Sequence, residues 1–342
     1  MEQNNIKYLC QEDLIKCGLL DYSAAVTDVK LALISHTNQE TLSDKIAIDL
    51  SYGHKFNALI ATNGEYSSCK WLGANVENHK DNLQRSFPML FLNEKQTGKP
   101  VAIMEGSLIS ALRTGAYVAL GIEHLAKKDN NVLFIGTGVI AKAAAATIFS
   151  YEASRNKINN FNFYSRDQDH ANNFKDILTD KLNITGEINQ VSDLEKAISE
   201  ADVTVSLSNT TETLFNLSNI KPNSTHIHLG GQDDDLEYIE YCGKNGKIIC
   251  DDWAYVKKRD IQDVAFAHNQ KMILDRDIYG NLGEVITGLK KGREGDEPIF
   301  FNAVGLPELD LYMGTRLFEN ALKIKDVGID IPVYKKSNWI LG

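Results

Sequence analysis

The chain has 342 residues, of which 43% are apolar, 8% aromatic and 24% charged. That composition excludes disordered, collagen-like and coiled-coil chains, and the length predicts two domains or one large one. The formal net charge of -10 lacks the basic footprint that a phosphate backbone demands, so nucleic acid is not an expected partner.

Residues 7–10 predict a short strand, Gln11-Glu12-Asp13 a helix start, and Leu31, Leu33 and Ile34 close a second apolar helical stripe. From 44 to 104 the period becomes two: Ile46, Ile48 and Leu50 alternate with Ala47 and Asp49. Strands at 58–61, 68–71 and 88–92 follow between turn signals such as Tyr52-Gly53 and Asn63-Gly64, which predicts a run of antiparallel strands. Thr97-Gly98-Lys99-Pro100 is a turn, 101–104 one more strand, and Ser107 opens a long helix reaching about Lys127.

From Asn131 the pattern alternates: strand 131–135, Ala-rich helix 139–150, strand 161–164, helices 171–182 and 194–200, then strands 203–207, 226–229 and 247–250. Parallel strands need crossover connections, so this predicts an α/β fold, a doubly wound parallel sheet with helices on both faces. From about Asp310 the tail returns to helix and is expected to pack on the first domain.

The cysteines, Cys10, Cys17, Cys69, Cys242 and Cys250, are odd in number and never paired as C-x-x-C, so no disulfide framework is expected. The start of the sequence shows no basic and apolar leader pattern, and no apolar stretch approaches the ~20 residues of a membrane span. A reduced, cytoplasmic protein with no membrane partner is the expectation.

The parallel region opens with Ile135-Gly136-Thr137-Gly138-Val139-Ile140-Ala141, a G-x-G-x-x-A between strand and helix. The first glycine makes the tight turn, the second lets backbone N–H groups approach a pyrophosphate, and Ala141 lets helix and strand pack closely. At the end of the next strand a carboxylate would accept from a ribose 2′-OH, whereas this chain reads Tyr164-Ser165-Arg166-Asp167. Ser165 with Arg166 suits a 2′-phosphate, so NADP(H) is the first choice. Asp167 leaves NAD(H) open if the strand ends two residues later.

Three residues outside that turn carry candidate chemistry. Lys70 sits between apolar neighbours near a strand end, Arg113 interrupts an apolar helix face, and Asp233 follows a strand at its carboxyl end. Together they suit an amino-acid substrate; singly, each also reads as a surface or salt-bridged side chain. His226 and His228 point to one strand face, but no third ligand with suitable spacing follows, so no metal is expected. Asp233-Asp234-Asp235 and 294–297 read as solvated acidic loops.

The chain resembles the ornithine cyclodeaminase and mu-crystallin family over nearly its whole length. The likeness is carried by the Lys70 strand, Thr97-Gly98-Lys99-Pro100, Glu105, Ala111-Leu112-Arg113-Thr114, Gly136-Thr137-Gly138, Gly230-Gly231, Thr287-Gly288, Gly292-Arg293-Glu294 and Asn302-Ala303-Val304-Gly305. Within the family it looks most similar to siderophore-pathway dehydrogenases of N-(2-amino-2-carboxyethyl)-glutamate, through Lys70-Trp71-Leu72-Gly73, 82–85, 103–113 and Cys250-Asp251-Asp252-Trp253.

The resemblance implies a central Rossmann domain (128–309) and an α+β substrate and dimerisation domain built from the N-terminal part and the C-terminal tail (1–127 with 310–342), hence a homodimer. It implies catalytic roles for Lys70, which binds the substrate carboxylate and polarises the developing imine, and for Asp233, which takes or gives a proton at the amino nitrogen. Lys45, Lys70, Arg85 and Val304 are implied for substrate. Arg85, Arg113, Gly136, Thr137, Gly138, Val139, Ile140, Ser165, Arg166, Ser208, Gly230, Gly231 and Ala303 are implied for the cofactor.

The sequence also departs from the family pattern. Lys45 is the nearest match to an early substrate arginine, Arg85 replaces a threonine, and Ala303 replaces a serine. No Pro-Gly-Lys run follows Gly231, and Asp234 remains an alternative to Asp233. These departures argue against ornithine cyclodeamination. The expected activity is an NAD(P)-dependent oxidoreductase at the C–N bond of an amino acid or N-substituted amino acid. Alternatives are a ketimine reductase, a cyclodeaminase-type lyase and a non-enzymatic NADPH and small-ligand binder.

Overall fold

The computed structural model describes residues 5–50, 53–184, 186–208 and 210–332. Tyr52 of the expected Tyr52-Gly53 turn, the chain start at 1–4 and the tail from 333 lie outside the described residues. Strands run β1 (Asn5–Leu9), β2 (Leu42–Asp49), β3 (Lys55–Thr62), β4 (Tyr66–Ala74), β5 (Ser86–Glu94), β6 (Pro100–Glu105), β7 (Asn130–Ile135), β8 (Ile158–Tyr164), β9 (Ile188–Gln190), β10 (Val203–Ser206), β11 (Thr225–His228), β12 (Lys247–Cys250), β13 (Ile278–Asn281), β14 (Ile299–Asn302) and β15 (Ile329–Pro332). They form two sheets, in two compact units: 1–21 with 35–113 and 306–342, and 22–34 with 114–305.

In the first unit the sheet order is β15-β1-β6-β5-β4-β3-β2, antiparallel except for the β1–β6 pair. The β3–β4 turn is set by Asn63, whose side-chain oxygen accepts from the amides of Glu65 and Tyr66. Period-two alternation separates the faces. Cross-strand register places Lys45, Leu59, Lys70, Leu90, Met104 and Leu9 in one row, hence on one face. The helix Pro307–Ala321 covers that face, packing on β2 through β5. The tail is helical as expected, but it goes on to β15, which pairs antiparallel with β1.

In the second unit the sheet is parallel throughout, ordered β13-β12-β14-β11-β10-β7-β8-β9. The chain builds outward from β7 through β8 to β9, then returns to the other side of β7 as β10. That reversal is a topological switch point, where open α/β sheets bind ligands beyond the carboxyl ends of their strands. The doubly wound sheet is as expected; β9, β13 and β14 are strands that the sequence pattern leaves unmarked.

The unit borders at 113 and 305, with 22–34 joining the parallel sheet, differ from the sequence borders at 127 and 309. The contacts explain the difference: Thr225 of β11 donates to the carbonyl of Leu125 at 2.8 Å, and Lys30 pairs with Glu123 at 3.2 Å.

Candidate active site

Gly136, Thr137 and Gly138 form the turn between β7 and the helix Val139–Ser150. Gly136 has φ +106°, and a Cβ there would lie 3.0 Å from the carbonyl oxygen of Leu207, so no other residue fits. Gly138 is the N-cap of the helix with no side-chain cap, and a Cβ on it would meet nothing within 4 Å. The first-turn N–H groups therefore face open space, which suits a pyrophosphate. A cleft of about 570 Å³ lies here, lined among others by Gly136, Thr137, Gly138, Ser165, Arg166 and Ser208. It sits at the carboxyl ends of β7, β8 and β10, at the switch point. Val139 is exposed and Ile140 half-buried at the same helix start. A dinucleotide fits this donor set.

Strand β8 ends at Tyr164, so Ser165 follows it directly and Asp167 does not reach the strand end. Thr137 donates to the Ser165 hydroxyl at 3.2 Å, and Ser165 in turn donates to the carbonyl of Asp167 at 3.0 Å. Arg166 is exposed on the cleft rim. The Asp167 carboxylate caps the helix Gln168–Asp176 by accepting from the amide of His170 at 2.8 Å, and this bond holds its carboxyl below the usual range.

Asp233 and Asp234 are not solvated, contrary to the sequence reading of this acidic run: both are buried, and only Asp235 is spent on capping a helix. One Asp233 oxygen accepts from Ser206 and, at 3.2 Å, from Ser208. The other lies 3.5 Å from His228 Nδ1 and has no hydrogen-bond partner. Gly230 packs so tightly against this loop that a Cβ would lie 2.7 Å from the Ser208 carbonyl oxygen. The expectation that the histidines lack a third potential ligand also needs correction. Asp234 lies 3.2 Å from His226 Nε2 and 2.5 Å from His228 Nδ1, and His228, Asp233, Asp234 and Asp263 share one buried cluster.

In the first unit Lys70 is 1% exposed, with its ammonium 2.6 Å from Asp310 and 3.2 Å from the Ser110 hydroxyl. Arg113 Nε is 3.6 Å from the other Asp310 oxygen. Burial pushes the Lys70 ammonium down to about 8, the Arg113 charge adds to that push, and Asp310 opposes it. Two cations thus share one carboxylate in a dry place, and the net positive charge suits an incoming anion. Lys45 is half-buried in the Lys70 row, two strands away, while Arg85 is exposed just before β5.

Val304 and Ala303 are buried after β14. Asp251 fixes that turn: its carboxylate accepts from the amides of Val304 and Gly305 at 3.0 and 2.6 Å and from the Tyr117 hydroxyl at 3.2 Å. The loop 294–297 is not merely solvated, since Glu294 and Glu297 lie 2.9 and 3.4 Å from Lys247. Sequence reasoning missed the roles of Asp310, Asp251 and His228. Asp310 had a signal: it stands among Leu306, Met313 and Leu317, on the apolar stripe of its helix.

The Delta(1)-pyrroline-2-carboxylate reductase of Bacillus cereus (strain ZK / E33L) is 26% identical over 89% of this chain and 94% of its own length. The N-((2S)-2-amino-2-carboxyethyl)-L-glutamate dehydrogenase of Staphylococcus aureus is 24% identical, covering 96% and 98%. Among solved structures, the Thermococcus litoralis Delta(1)-pyrroline-2-carboxylate reductase in complex with NADH and L-proline superposes with a TM-score of 0.82 at 24% identity, over 95% of this chain and all of that one. An archaeal alanine dehydrogenase dimer with bound NAD gives 0.81 at 24% identity, over 96% of this chain and 100% of that one. Among the described residues, no helix is long and apolar enough to cross a membrane. The family model for ornithine cyclodeaminase/mu-crystallin matches residues 30–325, spanning Lys70, the glycine turn and the Asp310 helix alike, and the chain belongs to that family.

Proposed function

We infer that this chain is an NAD(P)-dependent oxidoreductase acting on the C–N bond of a small amino acid, an N-substituted amino acid or the matching imine. The observation that carries the reading is the Gly136-Thr137-Gly138 turn with its open helix N-terminus at the switch point. It stands in a chain whose near-full-length relatives are named as imino-acid reductases and amino-acid dehydrogenases.

The dinucleotide, when bound, supplies or accepts a hydride at the substrate Cα. Lys70 holds the substrate carboxylate and, through its charge, favours electron density leaving the C=N carbon. Arg113 adds the second positive charge, for the same carboxylate or for cofactor phosphate. Asp233 is fully buried, so it acts through Ser208, which lines the cleft: the Ser208 hydroxyl exchanges a proton with the amino nitrogen and passes it to or from the carboxylate to which it is bonded. Asp234 is a poor base, because, against its burial, the interactions with His226 and His228 hold its carboxyl far below the usual range. Lys45, Arg85 and Val304 complete the proposed substrate contacts; Gly230, Gly231 and Ala303 complete those to the cofactor.

NADP(H) is our proposed cofactor, since Ser165 and Arg166 follow the strand directly and the Asp167 carboxylate is engaged as a helix cap. NAD(H) remains the second reading, favoured by relatives solved with NADH and NAD. A homodimer is also proposed. The sheet face opposite Lys70 exposes Ile46, Ile48, Phe56, Ile60, Trp71 and Phe87, an apolar patch that a second copy would cover. Glutamate at both Phe56 and Trp71 should turn a sedimenting dimer into a monomer. The described cysteines are free, which supports a reducing, cytoplasmic setting.

The test is nicotinamide absorbance with NAD(H) and NADP(H) in parallel, across amino acids, N-carboxyalkyl amino acids and cyclic imines, with mass spectrometry of each mixture. Stoichiometric cofactor turnover supports the reading. Product without net cofactor change means a cyclodeaminase, and nucleotide binding without any product means a binding protein.

A further inference from the structure

The row Thr225-His226-Ile227-His228 is a central parallel strand with every residue buried, yet it carries two imidazoles. Parallel-sheet interiors read as apolar runs, so the exception asks for a cause. His226 is held on one side by the Thr204 hydroxyl, 2.6 Å from its Nδ1, with its Nε2 3.2 Å from Asp234. His228 is more constrained. Its Nδ1 lies 2.5 Å from an Asp234 oxygen and its Nε2 3.1 Å from the carbonyl oxygen of Gly231. Both partners are acceptors, and only the imidazolium can donate from both ring nitrogens.

The titratable groups facing this ring are Asp233 and Asp234 from the loop after β11, Asp263 from the helix Asp263–Asn269, and His226 from its own strand. A divalent cation among them would hold its ligand atoms about 3 Å apart, given metal bonds of roughly 2.0–2.2 Å. The 2.5 Å separation of His228 and Asp234 is that of a hydrogen-bonded pair.

We propose that His228 is a positioning residue of the reaction, a buried imidazolium that keeps Asp233 ionised and thereby keeps the Ser208 hydroxyl pointing from the nucleotide cleft to Asp233. The proposal rests on the nucleotide-binding reading of that cleft. Asp233 Oδ1 has no hydrogen-bond partner, and the positive charge 3.5 Å away is what offsets its desolvation. Asp233 Oδ2 accepts from Ser206 and Ser208, while Ser208 accepts from the amide of Thr210 at 3.4 Å. That fixes the sense of every hydrogen bond from the ring to the cleft wall. Without the charge, a proton on the buried carboxyl has to offset its desolvation instead, and a carboxyl, being donor as well as acceptor, no longer fixes the Ser208 hydroxyl as the donor. The Gly231 carbonyl loses its donor in the same step. Against the burial of the ring, which favours the neutral form, Asp234 and then Asp233 and Asp263 raise the His228 pKa to about 9, so the charge persists across the neutral range.

The test follows NADPH and NADH affinity by fluorescence between pH 6 and 8.5, alongside nitrogen NMR of the histidine rings of the full chain. Wild type should bind with flat affinity across that range, and the His228 signals should show both nitrogens protonated at pH 8. His228→Asn should bind nearly as wild type at pH 8.5 but about tenfold more weakly at pH 6, the signature of one coupled proton. Adding Ser208→Ala should remove that pH dependence. A neutral or metal-bound His228 ring in the wild type overturns the proposal whether or not the variant folds. So does a His228→Asn variant that only melts earlier while its affinity stays flat. If wild type binds neither nucleotide, the cleft reading fails and this role fails with it, while the ring signals still report the state of His228.

Discussion

Each unit buries a cluster of charge, and the two clusters err in opposite directions. Around Lys70, two cations share the single Asp310 carboxylate. Around His228, the carboxylates of Asp233, Asp234 and Asp263 crowd two imidazoles. Burial, joined by the Arg113 charge, lowers the Lys70 pKa to about 8, whereas at His228 burial pulls the same way but the surrounding carboxylates overcome it and raise the pKa to about 9. Burial pushes both bases toward the neutral form, and the number of carboxylates beside each one decides whether that push prevails. A surplus of cations leaves room for an anion from outside, whereas the surplus of carboxylates is met from within by protons.

The largest expected effect comes from deleting the surplus charge itself. Lys70→Ala should lower kcat/KM by about 10²–10⁴-fold, the range for a positioned charged or proton-transferring group, with nucleotide affinity unchanged. Lys70→Arg should not restore it, since a planar fork does not fit a site shaped for an ammonium between Asp310 and Ser110. Full activity in both variants would remove Lys70 from the site.

Asp310→Asn breaks the comparison from the other side. It leaves two buried cations without a carboxylate, which should cost about 3–5 kcal/mol in denaturant unfolding. With the Asp310 attraction gone, the Lys70 pKa should drop further below 8. Because the substrate carboxylate needs the charged form, wild-type kcat/KM should fall as pH rises through about 8, and in this variant the fall should begin at lower pH. An unmoved alkaline limb would mean that another group titrates there.

The same shifts give the units opposite stability slopes. His228 binds its proton more tightly folded than unfolded, so its contribution is complete below about 6.5 and is lost as pH rises through about 9. Lys70 binds its proton less tightly folded, so its cost is complete below about 8 and is relieved as pH rises toward 10.5. Hydrogen exchange, corrected for intrinsic rate, should therefore show β11 opening more readily from pH 7 to 9 and β4 opening less readily above pH 8. Parallel trends in both strands would refute the contrast.

How far these clusters could be read from sequence depends on whether each residue shows its partner locally. Gly136 and Gly138 announced their turn because strand, turn and helix are contiguous in the chain, and the alternation at 44–50 announced a strand for the same reason. Lys70 was visible as a charge on an inward position, but its partner Asp310 lies 240 residues on and is joined to it only by the packing of the helix Pro307–Ala321 on β4. Asp233-Asp234-Asp235 misled because consecutive carboxylates normally face water; here Ser206 lies 27 residues before Asp233, and His228 is brought against the run by a turn through Gly230 that no local pattern specifies. Strand β14 was missed because it enters between β11 and β12 from 299 onward, out of chain order.

Charges on the cleft rim should behave unlike both clusters, since water already solvates them. Arg166 is exposed, so Arg166→Ala should leave stability within about 0.5 kcal/mol. It should weaken NADP(H) by about 10–100-fold through loss of a charge-assisted contact to the 2′-phosphate, with NAD(H) nearly unaffected. Asp167→Ala gives the smaller and complementary effect: loss of the bond to the His170 amide should lower stability slightly. Its effect on nucleotide choice should be slight, because the carboxylate is committed to its own helix. A large loss of NAD(H) affinity on removing Asp167, with NADP(H) spared, would instead make Asp167 the ribose contact and reverse the cofactor assignment.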